Sequence, residues 1–349
     1  MAQYRFTNYW IGQEPTGPGR SPTLNQMPSY VDVAPLAFVT IDQNYNLDFS
    51  FLTQQNSAAT IQGWIKQIRA QGTKVLLSII SDAFGKIPNP TSFAAQVKAA
   101  VTAWGVDGVD IDFEPPGPSN NVLTVLSAIR SALGSQALMT APVYSAWLGM
   151  LSFLTKFAAP LNYLTTMDYT PYPGFATTTS WFNQYAGAIG GPQKLAIGIS
   201  CMGPPQPASN NFTPLADVKS LCAWQPAGGV KKLGAMLYTF SYDIQTRPGS
   251  GTGYPNGTWT STINQYLPAA GSAAGKKAAG KRVAKPSSKN AGKKPASKAA
   301  TKAKPKVKLA NKKSAAKGSA RKKVTARKPA KKRPSNKGPV KSRRTAKRR

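Results

Sequence analysis

The segment VDGVDIDFEPP, Val106 to Pro116, places Asp107, Asp110, Asp112 and Glu114 within eight residues. These four are a third of the 12 acidic residues in the chain, and Glu114 is one of two glutamates, the other being Glu14. Between them stand Val109, Ile111 and Phe113. Such alternation is that of a β-strand, whose successive side chains point to opposite faces. Asp110, Asp112 and Glu114 then share one face, and Val109, Ile111 and Phe113 share the other. Pro115 and Pro116 end the strand, which makes Glu114 its last residue. Same-face neighbours on a strand lie about 7 Å apart at Cα. Three partly desolvated carboxyls that close cannot all ionise at neutral pH, so at least one keeps its proton and their titrations are coupled. A carboxylic acid held neutral near pH 7 can donate a proton. Three other readings of the same residues stand beside this one: a surface loop, a helix-capping cluster, and a divalent-metal site built from carboxylates. Alternating Val, Ile and Phe suits a surface loop poorly.

The rest of the composition narrows the chemistry. The chain has no histidine, which excludes a His-based triad and a His-ligated zinc. Its two cysteines, Cys201 and Cys222, cannot build a four-thiolate site, so neither a metal nor a cofactor is expected. They either pair or stay as buried thiols, and two in so long a stretch do not make a disulfide framework. Any general acid or base must therefore be a carboxylate, Tyr, Lys or Cys. Proton donation by a carboxylic acid to a leaving-group oxygen is what glycoside cleavage needs.

A strand that carries such acids needs a scaffold. Apolar strand-like runs alternate with helix-like segments from RFTNYWIG, through APLAFVTID, KVLLSII, VDGVDIDF, ALMTAPVY, LNYLTTMDY and KLAIGIS, to GAMLYTF. Between them, Ile61, Trp64, Ile65 and Ile68 share one helical face, as do Phe93, Val97, Val101 and Trp104, and Val122, Leu126, Ile129 and Leu133. Further helices are expected around Trp147–Phe157, Ser180–Ile189, Leu215–Trp224 and Ser261–Leu267. Strict alternation argues for parallel strands. Eight such units in about 250 residues have the size of a (β/α)8 TIM barrel. An open doubly wound sheet competes, but no Gly-rich phosphate loop follows the first strand. In a barrel the carboxylate face looks inward, with Glu114 at the C-terminal mouth where barrel active sites lie.

The segment DGVDIDFE, residues 107–114, matches the whole DGxDxDxE signature. On it the chain resembles the family 18 glycoside hydrolases, the chitinase and endo-β-N-acetylglucosaminidase family, over residues of about 4 to 268. The resemblance implies a (β/α)8 barrel with this segment on its fourth strand. Other segments match in part. TTMDY resembles the sixth-strand segment that reads Met-x-Met-Asp-Tyr in some bacterial members, with Met167 where many members have Tyr. GAMLYTF resembles the eighth-strand segment, with Tyr238 where the family has a pocket-floor Trp. LLSIISDAFG stands where the family has SxGG: Ser78 matches, and Ile80 and Ser81 replace the glycines.

What the resemblance implies is a retaining mechanism in which the 2-acetamido oxygen of the substrate is the nucleophile. Glu114 would be general acid and then base. Asp112 would orient the acetamido group and stabilise the oxazolinium charge, and Asp110 would share a proton with Asp112. Asp168 would hold the acetamido group, Tyr169 would supply a phenol, and Tyr144 would bind the distorted sugar. Asp107, of opposite parity, would serve structure at the strand start. Sugar faces are apolar, so Tyr9, Trp10, Trp147 and Tyr172, near strand ends, are candidate platforms; taken singly, each fits the core better. Trp10 is carried forward as a substrate contact with Tyr238, and Trp64 and Trp104 are assigned to the core. The implied substrate is chitin or an N-acetylglucosamine oligosaccharide. An endo-β-N-acetylglucosaminidase acting on N-glycans, or a catalytically silent sugar-binding protein tethered by its tail, is the alternative; silent members typically lack the glutamate.

The chain divides by charge near residue 270. Residues 1–270 hold 14 Lys and Arg against 12 Asp and Glu, and all seven Trp; residues 271–349 hold the other 31 basic residues, with no acid and no aromatic. The second part cannot bury enough apolar surface to offset its chain entropy and is expected to be a disordered Lys/Ala/Pro-rich tail. It resembles the tails of linker histones and of bacterial histone-like proteins. Dispersed lysines neutralise phosphates and release counterions, so a polyanion is the expected partner: DNA, RNA or an anionic cell-wall polymer. Without aromatics it has no means of base stacking. No run is long enough to span a bilayer. MAQYRFTNYWIG lacks the basic and apolar regions of a secretory signal. Chitin lies outside the cell, so location is left open.

Overall fold

The computed structural model describes residues 5–17, 20–114, 119–202, 212–243 and 256–268; the expected basic segment, 271–349, lies outside them. The strands are β1 (Phe6–Asn8), β2 (Trp10–Ile11), β3 (Val33–Ile41), β4 (Leu47–Asp48), β5 (Lys74–Ile80), β6 (Gly108–Asp112), β7 (Leu138–Val143), β8 (Tyr163–Thr166), β9 (Leu195–Ser200) and β10 (Gly234–Tyr238). β1 and β2 are two halves of one stave, parted at Tyr9. Parallel pairing runs from β3 through β5, β6, β7, β8 and β9 to β10, and β1 closes the ring by pairing with both β10 and β3. The result is a closed eight-stranded parallel barrel with helices outside it, the TIM-barrel fold.

Each helix begins where its sequence supplies donors' partners. In α1 (Ala58–Ala70), Ser57 accepts from the Thr60 amide, and Ile61, Ile65 and Ile68 are buried. α2 (Pro90–Trp104) has Asn89 as N-cap, Pro in its first turn and Gly105 in the left-handed region at its end. α3 (Asn120–Leu133) buries Val122, Val125, Leu126 and Ile129. A 3-10 turn, Ser145–Met150, leads into α4 (Leu151–Ala158). α5 (Phe175–Ala188) starts before the expected Ser180, because the Thr178 and Thr179 hydroxyls bond back to the Gly174 and Phe175 carbonyls and a β-branched run is absorbed into the first turn. α6 (Leu215–Ala223) and α7 (Thr258–Tyr266) complete the described helices. β4, which the apolar pattern did not signal, folds back antiparallel on β3. Its turn is held by the Asp42 carboxylate, which accepts from the Asn44 and Asn46 amides.

The barrel interior is layered. Val33, Leu76, Leu138 and Tyr163 fill the bottom. Thr7, Ser78, Asp110 and Thr140, all buried, lie above them, and the Thr7 hydroxyl meets the Tyr163 phenol at 2.9 Å. Tyr9, Ile11, Ala37, Tyr169 and Met236 form the top layer, with Phe38, Met167 and Tyr238 packed on them. Val109, Ile111 and Phe113 face the other way, into the main core beneath the helices. Both cysteines are buried thiols with no disulfide between them, and Cys201 Sγ donates to the Thr239 carbonyl at 3.0 Å.

Two residues fix β6 in this scheme. Asp107, just before the strand, accepts from Arg69 Nε at 2.9 Å, Lys74 Nζ at 3.1 Å and the Val75 amide at 3.0 Å. Burial alone would raise its carboxyl, and these donors reverse that and hold it below the usual carboxylate range. Gly108 sits between Leu76 and Leu138 in register, and a Cβ there would fall 1.9 Å from the Leu138 carbonyl oxygen. Its φ of 155° adds a backbone penalty for any other residue. Gly108→Ala is expected to destabilise the barrel by about 3 kcal/mol or more through overpacking and backbone strain, read as a lowered urea midpoint. A variant with the wild-type midpoint would refute the close approach of β6 to β7.

Candidate active site

The carboxylate ladder of β6 rises through the inner face. Asp110 occupies one rung with Ser78 of β5 and Thr140 of β7. Its Oδ2 accepts from Tyr9 Oη at 2.7 Å and Ser78 Oγ at 2.8 Å, and its Oδ1 accepts from Thr140 Oγ1 at 2.6 Å. Burial raises its affinity for a proton, and the three hydroxyls oppose that. Both oxygens are thus engaged, and no hydrogen bond joins Asp110 to Asp112.

Asp112, on the next inward rung opposite Ile80, is buried, and its Oδ1 finds no hydrogen-bond partner among the described residues. Burial first, then the charges of Glu114, Asp110 and Asp82, push its carboxyl well above the ordinary range. Glu114 lies two residues beyond the end of β6 rather than within it, and its side chain is exposed at the mouth. The last ladder bond of β5 to β6 runs from the Ser81 amide to the Asp112 carbonyl at 2.9 Å, and the Ser81 hydroxyl adds a second donor to the same oxygen at 3.0 Å. Desolvation by the cavity wall, followed by the Asp82 charge, raises the Glu114 carboxyl.

A cavity of about 130 Å³ opens above these acids, lined by Tyr9, Phe38, Asp112, Glu114, Pro142, Met167, Tyr169 and Tyr238. Tyr169 and Tyr238 stack with centroids 6.0 Å apart, and Tyr9 meets Tyr238 edge-on at 5.8 Å. Tyr242 continues the cluster and donates to Glu14 Oε1 at 3.0 Å. Tyr144 is half-buried, and the charges of Glu114, Asp82 and Asp112 add to burial in raising its phenol. Glu114, Asp112, Tyr169 and Tyr238 therefore converge on one cavity, with Asp110 beneath it and Tyr144 beside it.

Two expected contacts fall elsewhere. Trp10 is fully buried, donates from its indole to the Pro22 carbonyl at 2.9 Å and packs edge-on against Trp64; its place on the outward face of the first stave turns it to the core. Asp168 does not line the cavity. Past the end of β8, Met167 and Tyr169 line the cavity on either side of it, while Asp168 accepts from Tyr185 Oη at 3.2 Å and from the Ser145 amide, its buried Oδ2 having no partner among the described residues. Trp147 is likewise sealed in the core among Phe113, Phe153 and Phe157, and Tyr172 donates to Asp217. The sequence alone did not single out Asp82, Thr140, Phe38 or Pro142. Thr140 follows from register once β6 and β7 are paired, and Asp82 from its place two residues past the β5 end.

Among the described residues no group of three or more His, Cys, Asp or Glu side chains converges as a metal site, and the hydroxyls already on Asp110 are hydrogen-bond donors rather than co-ligands. What the arrangement can do is hold a protonated carboxyl at a solvent-reached mouth, above a buried acid with a free acceptor oxygen.

The family model for glycosyl hydrolases family 18 matches residues 5–218. The chain belongs to this family of glycosyl hydrolases. Among solved structures it is similar to a family 18 chitinase from Pseudoalteromonas aurantia, at 18% identity and TM-score 0.59, covering 75% of this chain and 100% of that one. It is also similar to an endo-β-N-acetylglucosaminidase from Cordyceps militaris, at 18% identity and TM-score 0.59, covering 76% and 92%. A third is catalytic domain 2 of the Group II chitinase from Ostrinia furnacalis, a mutant in complex with penta-N-acetylchitooctaose, at 13% identity and TM-score 0.55, covering 76% and 97%. At these identities the likeness is one of fold.

Asp168 carries a consequence for stability. Burial pushes its carboxyl up to about 7, against the opposing bonds from Tyr185 and Ser145. Its folded-state value exceeds the unfolded one of about 3.9, so its contribution is full below about pH 4 and is lost as pH rises to about 7. Asp168→Asn should flatten the fall in urea-unfolding free energy between pH 4 and pH 8. A pH profile parallel to that of the wild type would remove Asp168 as its source.

Proposed function

We propose that the barrel is a chitinase that hydrolyses β-1,4-linked N-acetylglucosamine with retention of configuration, the substrate's acetamido oxygen acting as nucleophile. The observation that carries the reading is the pairing of Glu114, exposed and held toward its protonated form, with Asp112, buried below it with an unpartnered Oδ1. Glu114 donates its proton to the glycosidic oxygen as the bond to the leaving sugar breaks. Asp112 Oδ1 accepts from the acetamido N–H, which aims the carbonyl oxygen at the anomeric carbon and satisfies a buried acceptor. As the oxazolinium ion forms, Asp112 Oδ1 keeps its hydrogen bond from the ring N–H, and the acid pair of Asp112 and Asp110, the latter fixed by three hydroxyls, stabilises the positive charge above it. Glu114, now a carboxylate, takes the proton of the incoming water. Tyr169 and Tyr238 offer the sugar a ring face each, and Tyr144 flanks the acid. The chitinase structure solved with a chito-oligosaccharide supports this reading by analogy of fold. An endo-β-N-acetylglucosaminidase remains the second reading, since the Cordyceps enzyme matches equally well.

Glu114→Gln should lower kcat on chitotetraose by at least about a hundredfold, the scale of a lost general acid, while oligosaccharide binding persists, and the wild type should release the β-anomer. Retained turnover in the variant would remove Glu114 from the chemistry. Cleavage of an N-glycan core with none of chitotetraose would select the second reading.

For residues 271–349, 31 basic residues without an acid support a second activity, binding of a polyanion without sequence preference. Deleting them should leave turnover of soluble chitotetraose within about twofold, the size of a surface change, and abolish duplex-DNA retention with its steep salt dependence. Unchanged DNA retention by residues 1–270 would place that binding on the barrel.

A further inference from the structure

Asp82 is an acid beside Glu114 that the hydrolytic scheme leaves without a task. It follows β5 directly after Ser81, a fully buried residue whose amide and hydroxyl both hold the Asp112 carbonyl. The last rung joining β5 to β6 is Ile80 with Asp112, so Asp82 and Glu114 each stand two residues past the same pair. Both side chains are exposed, and Glu114 lines the cavity. Among the described residues both ion pairs converge on Asp107, before the strand, so no cation of theirs neutralises Asp82.

We propose that Asp82 is a positioning residue for proton donation: anchored beside Glu114 by the Ser81 clamp, its negative charge keeps the proton on Glu114 until the substrate takes it. The proposal rests on Glu114 being the proton donor. The groups that face Glu114 are Asp112 from β6, Asp82 from the β5 end, Tyr144 after β7, Tyr169 after β8 and Tyr238 of β10. The four aromatic or buried members crowd the carboxyl and exclude water from it, whereas Asp82 is the exposed carboxylate among the groups that face it. Its charge acts on Asp112, Glu114 and Tyr144 alike, each time in the direction that holds a proton. A bare surface carboxylate would otherwise be a liability at a mouth that must admit a glycosidic oxygen.

The test is the pH dependence of kcat/KM on chitotetraose for the wild type, Asp82→Asn, Asp82→Glu and Glu114→Gln. Asp82→Asn should move the alkaline limb to lower pH by about half to one unit, the size of one charge a few ångströms off at a partly solvated site. Asp82→Glu should restore the wild-type limb, and 1 M NaCl should draw the wild-type limb toward that of Asp82→Asn. An Asp82→Asn limb coincident with the wild type overturns the proposal. So does a loss of rate that is uniform across pH, which would mark Asp82 as a substrate contact. If Glu114→Gln still hydrolyses, the proton-donor reading itself fails; if it is inactive while Asp82→Asn keeps the wild-type profile, only the role of Asp82 fails.

Discussion

A carboxylate sealed inside a barrel is tolerable only when its oxygens are met by donors, and everything at the top of this molecule is arranged around meeting that condition for Asp110. Ser78 and Thr140 reach it from the neighbouring staves on the same rung, and Tyr9 reaches across from the first stave. Leaving any one of those lone pairs unmatched would cost on the order of 1–3 kcal/mol. The three hydroxyls also lock the relative register of four staves, since a one-residue slip would turn each of them to the outer face. The middle layer is thus a polar plug with a single solution, and the acids above it inherit their position from it.

The same eight residues carry opposite electrostatic outcomes at their two ends. Asp107 meets two cations and a backbone amide and stays ionised. Five residues on, Asp112 meets other acids and a dry wall, and its proton is held. Sequence neighbours of identical type diverge because one lies at the strand entrance, where α1 and β5 supply Arg69 and Lys74, and the other lies where the staves end. Burial sets the scale of both effects, and the company each acid keeps sets the sign.

Most of the scaffold was legible because parallel strands buried on both faces read as apolar runs and the helices between them carry a clean 3.6-residue stripe. The carboxylate ladder was legible from parity alone. What parity could not supply was where a strand ceases to pair, and this displaced Glu114 beyond the end of β6 and hid Asp82 beside it. Nor can periodicity distinguish an aromatic at a strand end that faces the cavity from one that faces the helices: Tyr9 and Trp10 are adjacent, and one touches Asp110 while the other is sealed against Trp64. Asp168 illustrates the same limit, since a shift of one position decides whether a side chain belongs to the cavity or to α5. The Asx turn that creates β4 had its signal in Asp42, Asn44 and Asn46, residues that an apolar pattern passes over.

The cavity is floored and walled by phenols, and no indole borders it. Trp10, Trp104, Trp147 and Trp259 are buried, and Trp64, Trp181 and Trp224 are partly buried against the same outer core. The indoles of this protein therefore report first on the packing of its helical jacket. Tyrosine absorbance, through Tyr9, Tyr169 and Tyr238, is the optical window onto the site itself.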